Sequence, residues 1–296
     1  MRQHGSTLAL TLALAALSAC APKDQAKDQA AATDSAANAT AAPTEPAVIT
    51  VHAADFKFEG PDTIPAGMVT FHLINDGTTF HHLQMVRLDS AKTFADLQAA
   101  ISKPGPIPGW VTFVGGPNAP DPKAESNATM NMPAGNYAML CFVDVPGGVP
   151  HVAKGMERSL TVVPSASNVA APKPDVTLTL SDYSFTTSQP LHAGKQIIEV
   201  RNDGPQLHEV ELIRLAPGKT DKDVLGWMQK PNGPPPGSGV GGVAGAAPGE
   251  VSYFTADLTP GSYMLICFLP DRKDGKAHFE HGMTQEFEVG ASLADK

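Results

Sequence analysis

Short stretches of alternating hydrophobic and polar residues recur along this chain, a pattern typical of β-strands with one buried face. In the first half the pattern predicts five strands, bounded by Gly, Pro, Asn or Asp, at residues 48–51, 69–74, 83–88, 137–142 and 159–163. Helix-like segments are confined to 91–103 and 220–230, and a long loop rich in Gly and Pro follows each of them. Many short strands with few helices predict an all-β protein built of Greek-key β-sandwiches, each with a short helix-loop insertion.

The second half of the chain repeats the first. Residues 55–77 contain DFKF, PAG and LINDG in that order, and residues 182–204 contain DYSF, HAG and VRNDG at the same spacing. The correspondence continues to GNYAMLC at 135–141 and GSYMLIC at 261–267. A repeat of about 115 residues has the usual size of a domain, so we expect two tandem copies of one domain. The predicted organisation is domain 1 at 47–163, a linker at 164–174, domain 2 at 175–290 and a C-terminal tail at 291–296.

The N-terminus has the pattern of an export signal rather than of a membrane span. Its apolar run, TLALTLALAAL, is too short to cross a bilayer and leads into Leu-Ser-Ala-Cys, which resembles the lipobox of bacterial lipoproteins. We therefore expect a signal peptide at 1–19, a lipid on Cys20 and a disordered tether at 20–46, rich in Ala, Asp, Gln, Thr and Pro. The alternative is an ordinary signal peptide with a chance cysteine. Ala21 after the cysteine favours anchorage to the outer membrane, facing the periplasm or the cell surface.

The net charge and the cysteine content argue against some classes of function. The net charge of −9 argues against nucleic acid as a partner, because phosphate binding requires basic patches. Cys141 and Cys267 belong to an exported chain, where unpaired thiols tend to be oxidised unless something protects them. They lie on equivalent strands of different domains, and a disulfide needs Cα atoms within about 7 Å. We therefore expect a metal rather than a disulfide at these cysteines.

Candidate metal ligands recur at matching positions of the two copies. His81 matches His208, whereas its neighbour His82 matches Glu209. We expect His82 at the surface or rim. The other matching pairs are Cys141 with Cys267, His151 with His278, and Met156 with Met283. Taken singly, each of these side chains has an ordinary role in a hydrophobic core. Together, two imidazoles, one thiolate and a weak axial thioether form the ligand set of blue-copper sites, so the sequence predicts up to two copper ions per chain.

At these motifs the chain resembles the cupredoxin family, over residues 48–163 and 175–290. The resemblance is carried by NDGTTFH and NDGPQLH, by GNYAMLC and GSYMLIC, and by HVAKGM and HFEHGM. It implies one copper ion held by His81, Cys141, His151 and Met156, and another held by His208, Cys267, His278 and Met283. Nine residues separate Cys141 from His151, and ten separate Cys267 from His278. These loops are longer than in the small soluble cupredoxins, although comparable loops occur in the family's copper nitrite reductases.

The residues beside the two cysteines bear on whether the protein is an enzyme. Copper oxidases and reductases of the family carry histidines there, whereas this chain has Leu140, Phe142, Ile266 and Phe268 and no HxH pair. From this we expect an electron carrier rather than an enzyme, with redox partner proteins reached through the thiolate and a more exposed loop histidine. The alternatives are a copper-binding protein that exchanges the metal with donor and acceptor proteins without redox turnover, and a metal-free binding module.

Overall fold

The computed structural model describes residues 44–103, 105–145 and 147–290. The predicted signal peptide at 1–19, Cys20, most of the tether and the tail at 291–296 lie outside these residues. Among the described residues, no helix is both long and apolar enough to cross a membrane.

The described elements are mostly strands, as predicted. In the first half they are β1 Ala47–Ala54, β2 Lys57–Glu59, β3 Thr63–Pro65, β4 Gly67–Asn75, β5 Gln84–Leu88, α1 Phe94–Ile101, β6 Val111–Gly115, β7 Glu125–Met132, β8 Gly135–Leu140, β9 Asp144–Val145, β10 Val149–Pro150 and β11 Glu157–Val163. In the second half they are β12 Val176–Ser181, β13 Ser184–Thr187, β14 Gly194–Asn202, β15 His208–Leu215, α2 Asp221–Gln229, β16 Gly237–Ala246, β17 Val251–Leu258, β18 Gly261–Ile266 and β19 Thr284–Val289. Short 3-10 helices cover His151–Lys154 and His278–His281.

Two large sheets run through both halves of the chain. One has the strand order β13-β12-β14-β17-β7-β4-β1-β2, and the other has the order β19-β18-β15-β16-β6-β5-β8-β11-β3. The halves join where β7 pairs antiparallel with β17 and β6 with β16. The strands β9 and β10 form a separate hairpin beside the first cysteine.

Each half buries its own hydrophobic core between the two sheets. Phe71 and Leu73 on β4 belong to the first core, and Ile198 and Val200 on β14 belong to the second. Their inward side chains alternate with more exposed neighbours, which is the period of two that the sequence shows. The predicted all-β, β-sandwich fold class is therefore confirmed. The bounds of the two domains and of the linker stay a prediction.

The long Gly/Pro segments contain strands that the sequence pattern did not predict. β16, with the sequence GSGVGGVAGA, lies in a segment predicted as a loop. A Cβ on Gly242 would lie 2.1 Å from the carbonyl oxygen of Val210, and a Cβ on Gly116 would lie 1.9 Å from that of Leu83. Both glycines also have positive φ angles, 137° and 126°. β16 is rich in glycine because neighbouring backbones approach too closely for a side chain, and this hides the alternation on which strand prediction depends.

The two predicted helices are present and begin at matching caps. Thr93 precedes α1 and donates from its backbone N–H to Asp96 Oδ2 at 2.9 Å. Thr220 precedes α2 and makes the same contact with Asp223 Oδ2 at 3.0 Å. The acidic residue of each first turn thus satisfies a backbone donor at the helix start.

Candidate metal centres

A buried asparagine positions the first histidine of each copy. Asn75, at the end of β4, donates from Nδ2 to the carbonyl oxygens of Thr79 at 2.9 Å and Pro120 at 3.1 Å. Its Oδ1 accepts from the backbone N–H of Gly77 at 3.0 Å. A Cβ on Gly77 would lie 2.4 Å from His81 Nε2, so only glycine leaves room for the imidazole. The NDG motif therefore builds the loop that carries His81.

The second copy repeats this loop. Asn202 donates from Nδ2 to the carbonyl oxygens of Gln206 and Ala246, both at 2.8 Å, and accepts from the N–H of Gly204 at 3.0 Å. A Cβ on Gly204 would lie 2.6 Å from His208 Nε2. Both copies thus use the same contacts to hold their first histidine.

Backbone hydrogen bonds hold the cysteine, the second histidine and the methionine together. In the first copy the N–H of Cys141 donates to the carbonyl oxygen of Met156 at 3.2 Å, and the N–H of Met156 donates to that of His151 at 3.0 Å. The second copy has the same two bonds, from Cys267 to Met283 at 3.2 Å and from Met283 to His278 at 3.0 Å. The second loop therefore accommodates its additional residue before His278. The segments from His151 to Met156 and from His278 to Met283 have the same local structure.

The predicted nitrogen and sulfur donors converge in both copies. His151 Nδ1 lies 3.0 Å from His81 Nδ1 and 3.5 Å from Cys141 Sγ. In the second copy His278 Nδ1 lies 3.1 Å from His208 Nδ1 and 3.3 Å from Cys267 Sγ. All six side chains have an exposed fraction of 0%. The expectation that the loop histidine of each site is the more exposed one is therefore wrong, because the 3-10 helix turns both His151 and His278 inward.

The positions of the protons on the imidazoles indicate that the converging Nδ1 atoms can bind a cation. His81 Nε2 lies 3.1 Å from Asp55 Oδ1 and therefore carries a proton, which leaves a lone pair on His81 Nδ1. The neutral His151 ring has one proton, on either nitrogen. On Nε2 it leaves two Nδ1 lone pairs facing each other at 3.0 Å, and on Nδ1 it leaves Nε2 buried without a hydrogen-bond partner. A cation bound by the two Nδ1 atoms removes the repulsion between their lone pairs. Among the described residues, Nε2 of His151 and Nε2 of His278 are both buried without a hydrogen-bond partner.

Met156 and Met283 lie in the same core clusters as the cysteines of their copies, with exposed fractions of 0%. Their backbone bonds to the cysteines bring them to the correct end of each domain. Their role as axial ligands stays a prediction.

Two aspartates complete the sites and were not predicted from the sequence. Asp55 holds His81, and Asp182 Oδ1 lies 2.8 Å from His208 Nε2. Both carboxylates come from the repeated DFKF and DYSF motifs, which served only to establish the repeat. The next residue of each motif, Phe56 or Tyr183, has a positive φ angle and packs edge-on against the second histidine, with ring centroids 5.2 and 5.5 Å apart. The motif therefore both orients the first imidazole and covers the second.

Burial sets the charge of the ligand side chains in the absence of a cation. It raises the pKa of the Cys141 thiol to about 12 and also raises the pKa of the Cys267 thiol. Burial, together with the neighbouring histidine, lowers the pKa values of His151 and His278 to about 4. The cysteine and histidine side chains of each site are therefore uncharged at neutral pH, and a thiolate forms only together with a bound cation.

Comparisons with known proteins find similarity to solved structures only. Comparison with models of protein families finds no match, and comparison with curated proteins finds none either. Among solved structures, reduced auracyanin from Roseiflexus castenholzii matches with 22% identity and a TM-score of 0.28, over 42% of this chain and 99% of its own. In its fold, this chain is similar to cupredoxins. Each sandwich has one group of two histidines and one cysteine that could hold a metal ion.

Longer structures match across both halves of the cupredoxin-like chain. Copper nitrite reductase from Nitrosomonas europaea matches with 16% identity and a TM-score of 0.25, over 84% of this chain and 95% of its own. Blue copper oxidase from the same organism matches with 15% identity and a TM-score of 0.25, over 83% of this chain and 86% of its own. The fold and the His/Cys groups support a copper protein.

These longer matches correct the prediction that the chain is not an enzyme, because the structures that cover most of it are named as enzymes. That prediction was based on the residues next to the two cysteines. A pair of cupredoxin folds can bring catalytic groups together from positions far apart in sequence, so the flanking residues do not decide the question.

The predicted position of His82, the residue next to the candidate ligand His81, is also wrong. His82 does not lie at the surface or rim, since its exposed fraction is 7% and its Nε2 accepts from the backbone N–H of Phe142 at 2.8 Å. Burial lowers the pKa of His82 to about 4, which keeps the ring a neutral acceptor. Glu209 occupies the matching position and accepts from the backbone N–H of Phe268 at 2.9 Å.

Replacing Asp182 with asparagine should weaken metal binding at the second site by about 10- to 100-fold, the usual effect of removing a partner of a ligand histidine. The amide keeps an acceptor for His208 Nε2 but removes the charge that increases the basicity of the ring. A competition titration with a copper chelator measures the change. Asp55→Asn should weaken the first site in the same way, and an equal loss at both sites from either variant would contradict the assignment.

Metal affinity should rise by about tenfold per pH unit between about pH 5 and pH 9. In this range the Cys141 thiol, with its pKa raised to about 12, holds a proton that the metal must displace. The imidazoles of His151 and His278, with pKa values lowered to about 4, and those of His81 and His208, whose pKa values burial also lowers, are already neutral, so the metal displaces no proton from them. Chelator competition at three pH values gives the slope. An affinity independent of pH would show that the thiol does not bind the metal.

Proposed function

We propose that this cupredoxin-like protein transfers single electrons through one copper ion in each half. The ions would be held by His81, Cys141, His151 and Met156, and by His208, Cys267, His278 and Met283. Bound copper would supply the one-electron Cu(II)/Cu(I) couple. The complete burial of the His and Cys donors supports electron transfer most directly, because an electron can cross a covering side chain whereas a metal ion cannot leave without displacing it.

The surrounding residues favour a rigid site. Backbone bonds fix Cys141, His151 and Met156 relative to one another, and Asp55 fixes the orientation of the His81 ring. Thiolate and thioether donors favour Cu(I), while imidazole accepts both oxidation states. Ligands that do not move keep the reorganisation small when one electron arrives or leaves.

The aromatic covers suggest where electrons enter and leave. Phe56 and Tyr183 are partly exposed and contact the second histidine of their sites edge-on. A partner that docks on these rings would be one side chain away from a ligand imidazole. This route replaces the exposed loop histidine predicted from the sequence.

The loops before the second histidine favour different partners for the two sites. In the first copy the loop is PGGVP and exposes Val149, which suits weak apolar docking. In the second copy it is PDRKDGKA, whose charges would steer association in a salt-dependent way. Electron exchange at the second site should therefore slow more steeply with ionic strength, and equal slopes at the two sites would contradict this.

Repeated reduction and oxidation in the presence of a Cu(I) chelator tests the proposal. The copper-loaded protein is reduced with ascorbate, reoxidised with ferricyanide and cycled while bathocuproine disulfonate competes for Cu(I). For electron transfer, we expect the visible absorption to bleach and return in full, with copper retained. Loss of copper to the chelator on the first reduction would overturn the proposal and favour delivery of the metal.

We also propose that the chain is exported and anchored by a lipid on Cys20, in agreement with the lipobox-like LSAC sequence. Cells grown with radiolabelled palmitate should label the wild-type protein and not the Cys20→Ser variant. Equal labelling of both would refute the anchor.

A further inference from the structure

A cavity of about 460 Å³ lies between the two halves of the protein, outside both metal centres. Its wall is largely apolar and includes Phe142, Phe268 and Trp227. Three carboxylates also face it, the buried Glu209 and Glu211 and the exposed Asp144. Pockets that hold small molecules have this volume and this combination of apolar walls with a few polar groups.

The two buried carboxyl groups beside the cavity occur in the second copy and not at the matching positions of the first. Glu209 and Glu211 stand where the first copy has His82 and Gln84. Gln84 is satisfied, since its Nε2 donates to the carbonyl oxygens of Met85 at 3.0 Å and Gly245 at 2.8 Å. The second copy thus has two buried carboxyl groups at this junction where the first copy has an imidazole and an amide.

One of the two carboxyl oxygens of Glu211 has no hydrogen-bond partner among the described residues. Its exposed fraction is 5%, and its Oε2 accepts from the backbone N–H of Ala119 at 3.0 Å. Its Oε1 is buried and has no hydrogen-bond partner among the described residues. Ionised, this oxygen lacks a donor, and protonated, it lacks an acceptor. A buried polar atom without a partner destabilises the fold, which points to a ligand that supplies the missing contact.

The chemistry of the cavity indicates what this ligand is. Two buried carboxylates favour a positive charge beside them, and burial raises the pKa of Glu211 well above its usual range while no cation is present. Among the described residues, the groups of three or more His, Cys, Asp or Glu side chains that could hold a metal ion do not include Glu209 or Glu211. These two carboxylates are therefore not part of a three-ligand metal site. The apolar wall accommodates a hydrocarbon body. An ammonium group on such a body satisfies both features.

We propose that the cavity binds a small organic amine, with its ammonium group on Glu211 and its apolar or aromatic body against Phe142, Phe268 and Trp227. Since Phe142 follows Cys141 and Phe268 follows Cys267, the amine lies beside residues adjacent to both thiols. Binding requires no copper, so the proposal is independent of electron transfer.

Calorimetric titration of the copper-free full chain with 2-phenylethylamine tests this proposal. We expect one amine to bind per chain, with a change in Trp227 fluorescence that is absent from a Trp227→Phe variant. The neutral analogue 2-phenylethanol should bind about tenfold or more weakly, and phenylacetate should not bind. Equal binding of the amine and the alcohol, or binding of neither, would overturn the proposal.

Two variants locate the site. Glu211→Gln introduces the amide that the first copy has at Gln84, and it should weaken amine binding by about 10- to 100-fold. Glu125→Gln, which alters an exposed carboxylate outside the cavity, should leave binding unchanged and serves as the control. Met228→Trp on α2 should fill the cavity and abolish binding while Glu211 remains intact. Full amine binding in either cavity variant would show that the amine does not bind there.

Discussion

Replacing Cys141 with serine should remove about half of the intense visible absorption of the copper-loaded protein, and replacing Cys267 should remove the other half. This absorption arises from charge transfer between a thiolate and copper, as expected for blue-type sites. A serine hydroxyl does not ionise at neutral pH and cannot supply the sulfur donor. Because the two sites lie in different cores, each variant should leave the spectrum of the other site intact.

Absorption spectra and bound copper per chain, measured for the two single variants and the double variant, check this expectation. Cys20→Ser is the matched control, since it alters the third cysteine of the chain and should leave the spectrum unchanged. A single variant that removes all of the absorption would mean that only one copy binds copper in this manner. An undiminished spectrum in the double variant would contradict both assignments.

Copper loading should raise the thermal unfolding midpoint by more than any single hydrogen bond in the protein contributes. A ligand that binds only the folded state at about 1,000 times its Kd stabilises that state by about 4 kcal/mol. For a chain of this size, about 1 kcal/mol corresponds to about 2–4 °C in the midpoint, so a site that governs the whole transition adds about 8–16 °C. A bound metal would join the segment after β4 to the loop after β8, which unfolding must separate.

Calorimetric scans of the copper-free and copper-loaded protein measure this shift. The Cys141→Ser, Cys267→Ser double variant should show little or no rise on addition of copper, and each single variant should show a smaller rise than the parent protein. The same midpoint with and without copper in the parent protein would mean that the folded state does not bind the ion preferentially.

The repeat allowed the candidate sites to be predicted from the sequence. A single histidine, cysteine or methionine carries little information, but matched positions in two copies select His81, Cys141 and His151 and their counterparts, and the structure brings these together. The same comparison hid other features, because it retained only what the copies share. His82 and Gln84 differ from Glu209 and Glu211, so the repeat gives no signal at these residues beside the cavity.

The sequence by itself determined the all-β class, the two copies and the residues whose nitrogen and sulfur atoms converge, because alternation and repetition are local properties that the chain displays directly. Only the tertiary structure decided the burial of both loop histidines, the aspartate behind each first imidazole, the sheets that run through both halves and the cavity between them. Each of these depends on contacts between residues far apart in sequence. Asp55 reaches His81, Gln84 reaches Gly245, and Gly242 approaches Val210 only because the sheets pack as they do.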